Sequence, residues 1–356
     1  YGCYMRQLKN NKYKHMKKLR GVAVGTGYFS QFQYDAWNRL ENVDIIAVSS
    51  RKKEKAQVIC DKYNIARAYG SFEDMLITEK PDFVDIITPP ETHTDFCNIA
   101  IKHGVDIICQ KPLTPTHKES VALAKTVKNS NVRMMVHENF RFQPWHREIK
   151  ALLDQNIIGD KLHTINLRMR MGDGWQKDAY MNRQPYFREM EKLLIYETGV
   201  HFIDTFRYLI GDISQVYSKL KTLNSNIKGE DFAWVQFEFT NGALGFLDAN
   251  RFNENTADDP RLTFGSIWIE GNKGTIRLYD DGTITTQFLG EKENKHIYPY
   301  EKINFAGDCV YNTQKHFLEC LRSGDAFETN VETYLDNIII QDAIYESHEK
   351  RLPVNI

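Results

Sequence analysis

The sequence predicts an α/β protein in two parts: a doubly wound parallel sheet at the N-terminal end, then an α+β domain on a mostly antiparallel, open-faced sheet. Three observations carry this. Up to residue 142, short and nearly continuous apolar runs alternate with helical stretches, as strands covered on both faces require. Beyond residue 142 the runs alternate apolar and polar residues with period two, and turn pairs such as Asn241-Gly242, Gly271-Asn272 and Asp281-Gly282 separate them. At 356 residues the chain has the length of about two domains.

In chain order, strands are expected at Val22–Val24, Val43–Val48, Phe83–Ile87, Val105–Cys109 and Val132–Val136. Helices are expected between them at Gln31–Leu40, Lys53–Tyr63, Thr92–His103 and His117–Lys128. Helical signals at Pro144–Asn156 and Val200–Leu209 open the second part. Strands follow at Val216–Leu223, Phe232–Thr240, Ala243–Phe252, Leu262–Glu270, Thr275–Tyr279 and Thr283–Phe288, and the tail is helical at Asn312–Leu321 and Val331–Lys350. The expected division is a nucleotide-binding domain over 17–142 and a substrate-binding and oligomerisation domain over 143–356, preceded by a leader over 1–16.

That leader carries Arg6, Lys9, Lys12 and Lys14 with no acid, and no apolar core of a secretory signal. It is expected to be disordered or foreign to the native chain, with Met16 a natural start. The overall charge of −1 therefore conceals an acidic body, which argues against a nucleic-acid surface. No apolar run reaches the ~18 residues of a spanning helix, so no membrane is expected either. The cysteines (Cys3, Cys60, Cys97, Cys109, Cys309, Cys320) show no C-x-x-C spacing and no histidine cluster, which fits reduced thiols in the cytoplasm and no metal site.

Gly25-Thr26-Gly27 ends the first strand and opens the first helix. In a dinucleotide-binding fold the first glycine makes the tight turn, and the second lets backbone amides reach a pyrophosphate at the helix N-terminus. Tyr28 and Phe29 follow in that turn and are expected beside the cofactor, and Ser30 takes the third small position. The second strand ends in Ser49-Ser50-Arg51-Lys52, with no acid before Glu54. An acid there would bind the ribose hydroxyls of NAD, whereas a hydroxyl followed by cations suits a 2′-phosphate. Ser50 and Arg51 thus favour NADP over NAD.

Three further segments resemble known elements of the Gfo/Idh/MocA oxidoreductases, the family of glucose–fructose oxidoreductase and inositol dehydrogenase. They are ITPPETH at 87–93, GVDIICQKPLT at 104–114 and VHENFRF at 136–142. The glycine turn, these segments, ETGVHFID at 197–204 and HFLECLRSG at 316–324 occur in the family's order. The resemblance implies a Rossmann N-terminal domain and hydride transfer between a nicotinamide and the secondary alcohol or ketone of a sugar, cyclitol or related polyol. It implies that Lys111 is the catalytic lysine, stabilising charge on the substrate oxygen, and that Glu197 and His201 line the substrate pocket with His201 as acid/base. Spaced i, i+4, these two would share one helix face, where the carboxylate could hold the imidazole or the substrate. Asp204, one turn on, is expected to be a structural partner.

Gln110 departs from the family's glutamate, though its amide could still bond the cofactor ribose. Thr88, Pro89 and His93 would lie under the nicotinamide half, with His93 equally readable as an ordinary helix-start residue. Asn139 is expected at the cofactor and Arg141 at the substrate. The loop Met171–Arg188 offers aromatic rings and polar groups for a polyhydroxylated ligand, Trp175 and Tyr186 above all. An open antiparallel sheet face further predicts a homodimer or homotetramer. The resemblance leaves two other functions open: a non-catalytic dinucleotide-binding regulator, and a glycosidase that uses tightly held NAD.

Overall fold

The computed structural model describes residues 17–356, so the expected leader at 1–16 lies outside the described residues. The chain divides into two compact units, each described by itself. The first comprises the described residues up to His137 together with Thr313–Glu332, and the second Glu138–Asn312 with Thr333–Ile356.

The first unit holds six parallel strands: β1 (Leu19–Val24), β2 (Val43–Ser49), β3 (Arg67–Tyr69), β4 (Phe83–Ile86), β5 (Asp106–Gln110) and β6 (Met134–His137). Their spatial order is β3-β2-β1-β4-β5-β6, the doubly wound order that reverses between β1 and β4. The crossovers are α1 (Ser30–Arg39), α2 (Lys53–Tyr63), α3 (Phe72–Glu79), α4 (His93–Lys102) and α5 (His117–Lys128). Both faces being covered, Val22, Ala23, Val48, Val84, Ile86, Ile107 and Ile108 are fully buried, which is why these strands read as unbroken apolar runs. Helix α5 opens on a reciprocal capping box, in which the Thr116 hydroxyl accepts from the Glu119 amide and the Glu119 carboxylate accepts from the Thr116 amide.

The single boundary expected near residue 142 is drawn differently here. The first unit ends at His137, then recruits a segment from far down the chain. Val136 donates its amide to the carbonyl of Thr329 at 2.8 Å, and Met135 bridges to Asn330, so the free edge of β6 is closed by this segment. Phe317 packs on Phe83 and Phe327 with ring centroids 5.2 Å away in each case.

The second unit is built on nine strands: β7 (Leu162–Arg170), β8 (Ile213–Lys221), β9 (Phe232–Phe239), β10 (Leu244–Asn250), β11 (Ser266–Gly271), β12 (Gly274–Leu278), β13 (Ile284–Phe288), β14 (Asn294–His296) and β15 (Val354–Asn355). The order is β14-β13-β12-β11-β7-β10-β9-β8-β15, antiparallel except where β7 lies parallel to β10 at the centre. Ile165, Leu167, Leu247, Val235, Phe237, Ile267 and Ile276 turn one way and are buried. The other face carries a row in register across six strands: Arg277, Trp268, Asn166, Phe246, Gln236 and Tyr217. Helices α6 (Pro144–Asp154) and α7 (Val200–Leu209) belong to this unit. Helix α8 (Cys309–Ser323) begins in it and passes to the first unit, and α9 (Val331–Lys350) lies almost wholly in the second.

Candidate active site

In the first unit the site grows from the reversal of strand order, where a crevice opens past the carboxyl ends of β1 and β4. Gly25 adopts φ +120°, and a Cβ there would lie 2.2 Å from the carbonyl oxygen of Ile87. Only glycine allows β1 to turn that close to β4. The Gly25 amide donates to the carbonyl of Ser49 at 3.1 Å, and the Tyr34 hydroxyl donates to the Gly25 carbonyl at 2.8 Å, which fixes the turn from both sides.

Gly27 is exposed, and a Cβ on it would meet no atom within 4 Å. The start of α1 thus presents an open, side-chain-free approach to backbone amides and the positive end of a helix. No acid stands in the first turn of α1 to compete for that positive end. This chemistry fits a dinucleotide pyrophosphate. Tyr28 is exposed and Phe29 half-buried beside it. At the end of β2, the Ser50 and Thr26 hydroxyls lie 3.4 Å apart and Arg51 is exposed. Thr88 and Pro89 follow β4 as expected, with the Thr92 hydroxyl donating to Thr88 Oγ1 at 2.7 Å.

Two expected cofactor contacts are corrected. His93 is fully buried, with Nδ1 2.9 Å from the carbonyl of Leu113 and Nε2 2.7 Å from that of Thr88. It braces the turn after β5 against the end of β4 instead of offering a nitrogen to a ligand. Burial pushes its basicity down.

Gln110, only 7% exposed, is likewise turned inward. Its Nε2 donates to Gln33 Oε1 at 2.9 Å and its Oε1 accepts the Lys111 amide at 3.1 Å. Gln33 in turn donates to both oxygens of Asp85 at 3.0 Å, and Trp37 Nε1 donates to Asp85 at 2.7 Å. Burial raises Asp85 from the ordinary 3.8 to about 7. The family's glutamate at position 110 would set a second buried carboxylate against Gln33 Oε1, with two acceptors facing one another. The neutral amide removes that conflict. Lys111 itself is half-buried, immediately after β5, and its peptide bond to Pro112 is cis.

In the second unit Glu197 and His201 take a different arrangement from the one expected. Ile195–Gly199 form a π-helical turn that runs directly into α7, so Glu197 and His201 do not share a regular α-helical face. Glu197 is half-buried and its Oε1 accepts from the Tyr186 hydroxyl at 3.4 Å. Gln184 Nε2 donates to the same hydroxyl at 3.1 Å. Burial, with the neighbouring Glu197 carboxylate, holds the Tyr186 phenol neutral well above its ordinary range.

The carboxylate on His201 is instead Glu138, just past β6, with Oε1 2.5 Å from Nδ1. The imidazole stacks on Phe140 with centroids 4.0 Å apart and the planes within 5°. Sequence reasoning passed over Glu138, a residue between His137 and Asn139 in VHENFRF. The one available signal was that Glu138 is the sole acid in that segment.

Arg141, expected at the substrate, is committed elsewhere: its Nε and Nη2 donate to the Asp204 carboxylate at 2.8 and 2.6 Å. Asn337 Nδ2 also donates to Asp204, at 2.8 Å, so the aspartate is structural as expected. Asn139 is buried, and its Oδ1 has no hydrogen-bond partner among the described residues. Trp175 is half-exposed and donates from Nε1 to Glu254 at 2.8 Å. Of the two loop aromatics, the described hydrogen bonds join Tyr186 alone to another expected site residue. No cluster of metal-ligating groups occurs among the described residues.

A family profile described as "Oxidoreductase family, NAD-binding Rossmann fold" matches residues 19–138, and one described as "GFO/IDH/MocA C-terminal domain" matches residues 146–277. The chain belongs to the GFO/IDH/MocA oxidoreductase family. Similar members include D-apiose dehydrogenase of Rhizobium rhizogenes, 29% identical over 96% of this chain and 99% of that protein. The scyllo-inositol 2-dehydrogenase (NAD(+)) of Bacillus subtilis is 26% identical over 95% of this chain and 96% of its own length. Among solved GFO/IDH/MocA-like structures, an oxidoreductase from Agrobacterium radiobacter in complex with NAD+, L-tartaric acid and magnesium superposes with a TM-score of 0.88 at 27% identity, covering 95% of this chain and 98% of that one. The family membership, the doubly wound N-terminal sheet and the mostly antiparallel second sheet agree with the sequence expectations.

Proposed function

We propose that this oxidoreductase oxidises a secondary alcohol of a sugar, cyclitol or related polyol with a nicotinamide dinucleotide, and runs the reverse reduction. The observation that carries the reading is the glycine turn after β1, closed to any side chain at Gly25 and open at Gly27. The polyol class is supported by the relatives whose names specify D-apiose and scyllo-inositol. When bound, the nicotinamide supplies the hydride acceptor and donor.

The chain's own residues do the rest. Lys111 orients the reacting hydroxyl and stabilises negative charge that develops on its oxygen. His201 takes the hydroxyl proton and returns it in the reverse direction. Glu197 and Tyr186 engage a further hydroxyl of the substrate, and Gly25, Gly27, Tyr28, Phe29, Thr88, Pro89 and Asn139 contact the dinucleotide.

A screen of polyols with NAD and NADP, followed by absorbance of the reduced cofactor, tests the reaction. Lys111→Ala and His201→Ala are each expected to lower kcat by about 10²–10⁴. Unchanged turnover in either overturns the role given to it. The finer preference for NADP rests on Ser50, Arg51 and Lys52, against relatives whose names and bound ligands specify NAD. Equal or tighter binding of NADH than NADPH overturns that preference.

The open face of the second sheet supports a homodimer or homotetramer. Five free, buried cysteines among the described residues support a reducing compartment such as the cytoplasm. No helix among the described residues is long and apolar enough to cross a membrane.

A further inference from the structure

Glu138 follows β6 directly and is fully buried. One oxygen, Oε1, meets His201 Nδ1 at 2.5 Å and accepts the Phe140 amide at 3.1 Å. The other, Oε2, accepts the Tyr334 hydroxyl at 3.3 Å. Phe140, two residues on, lies flat against the imidazole. The same short segment thus supplies both a carboxylate to one ring nitrogen and an apolar plate to the ring face, so the imidazole has neither a free flip nor a free tilt.

We propose that Glu138 is the positioning residue of His201: it fixes the Nδ1–H tautomer, leaves the Nε2 lone pair to receive the substrate's proton, and balances the imidazolium that results. An ionised carboxylate has no proton to give, so the 2.5 Å contact requires the proton on Nδ1. The remaining nitrogen is then the acceptor in the neutral ring. This inference rests on the acid–base reading of His201 and adds the group that prepares it.

Other titratable groups face Glu138 from the elements packed around it: His146 on α6, Cys309 at the start of α8 and Tyr334 on α9. Burial lowers His146 to about 4 and raises both Cys309 and Tyr334 well above their ordinary values. All three are therefore uncharged near neutral pH. The Arg141–Asp204 pair beyond Tyr334 is internally compensated.

The test is Glu138→Gln, which keeps the shape and the acceptor oxygen but removes the charge. We expect kcat for alcohol oxidation to fall by about 10–10³-fold, with KM and the NADH dissociation constant within about threefold of the parent. Loss of the anion destabilises the imidazolium, so the rising limb of the kcat/KM–pH profile must move to lower pH. A merely structural glutamate would leave that limb in place. Unchanged kcat and an unmoved limb in Glu138→Gln, alongside an inactive His201→Ala, overturn the positioning role and leave the reading of His201 intact. A fully active His201→Ala overturns the underlying reading instead.

Should Glu138→Gln fail to fold, the parent protein decides. With ¹⁵N-labelled histidine, and His201→Asn to assign the signals, Nδ1 is expected in the protonated range and Nε2 in the unprotonated range above the titration. The opposite tautomer overturns the proposal.

Discussion

Asp85 shows how much a single buried side chain can impose on the pH response. It lies in β4, one of the two central strands of the parallel sheet, with no exposed surface, holding only neutral donors from Gln33 and Trp37. Its carboxyl is raised to about 7, so the folded chain keeps a proton there that the unfolded chain releases near 3.8. For a raised acid the stability is fully present below the unfolded value and is lost as pH climbs to the folded one. Between about pH 4 and pH 7 this amounts to at most ~4 kcal/mol. Asp85→Asn removes the loss: in urea unfolding, the parent's stability relative to the variant should be greater at pH 4.5 than at pH 7.5. Among single residues, the glycine turn at Gly25 and Gly27 was legible because a motif stands behind it. What eluded sequence reasoning were pairings across distant segments. Nothing near position 201 tells that its carboxylate arrives from position 138, and nothing near 141 tells that the arginine is spent on Asp204.

The elements divide by whether local pattern or a local insertion decides them. Lys53–Tyr63, His117–Lys128, Val200–Leu209 and Val331–Lys350 were expected with the bounds the structure gives them. β7, the centre of the second sheet, was missed although its burial alternates along Leu162–Arg170. Its alternation of apolar with polar and charged residues and the preceding Gly159-Asp160 pair were both available signals. β3 and α3 escaped for their brevity, at three and eight residues. The π-helical turn at Ile195–Gly199 breaks the i, i+4 logic that paired Glu197 with His201, and sends Glu197 to Tyr186 instead.

The glycine turn gives a sharp element-level prediction. Gly25→Ala must push Cβ into the Ile87 carbonyl and strain a positive φ, so it should lower Tm and abolish dinucleotide binding together. A Cβ at Gly27 meets no atom of the chain within 4 Å, so in Gly27→Val Tm should hold while NADH affinity drops by about tenfold or more as the side chain occupies the approach to the helix amides. Calorimetry with fluorescence titration separates the two; a Gly27→Val protein that binds NADH normally removes the cradle from that turn.

At the scale of the whole molecule, the outward face of the second sheet carries Trp268, 45% exposed, beside Arg277, with Phe246 and Tyr217 in the same row. A broad face of aromatic and charged residues is what an isologous contact between two copies uses. Trp268→Glu should reduce the particle mass measured by light scattering toward that of one chain, without loss of Tm beyond that expected from dissociation. A parent that is monomeric at micromolar concentration refutes the assembly. Fold class and the alternation of elements were legible because they follow from hydrophobic period. The route of the chain between its two units was not, since no composition change marks residues 313–332.

That route carries a consequence for how the protein is made. The open edge of β6 is completed by Thr329 and Asn330, and Phe317 fills the packing beside Trp37 and Phe83. A ribosome has therefore to deliver the chain from β6 through to Thr329 and Asn330 before the nucleotide-binding sheet acquires its last partner. Through that stretch of synthesis, the first unit waits with an unprotected strand edge while the second is still emerging.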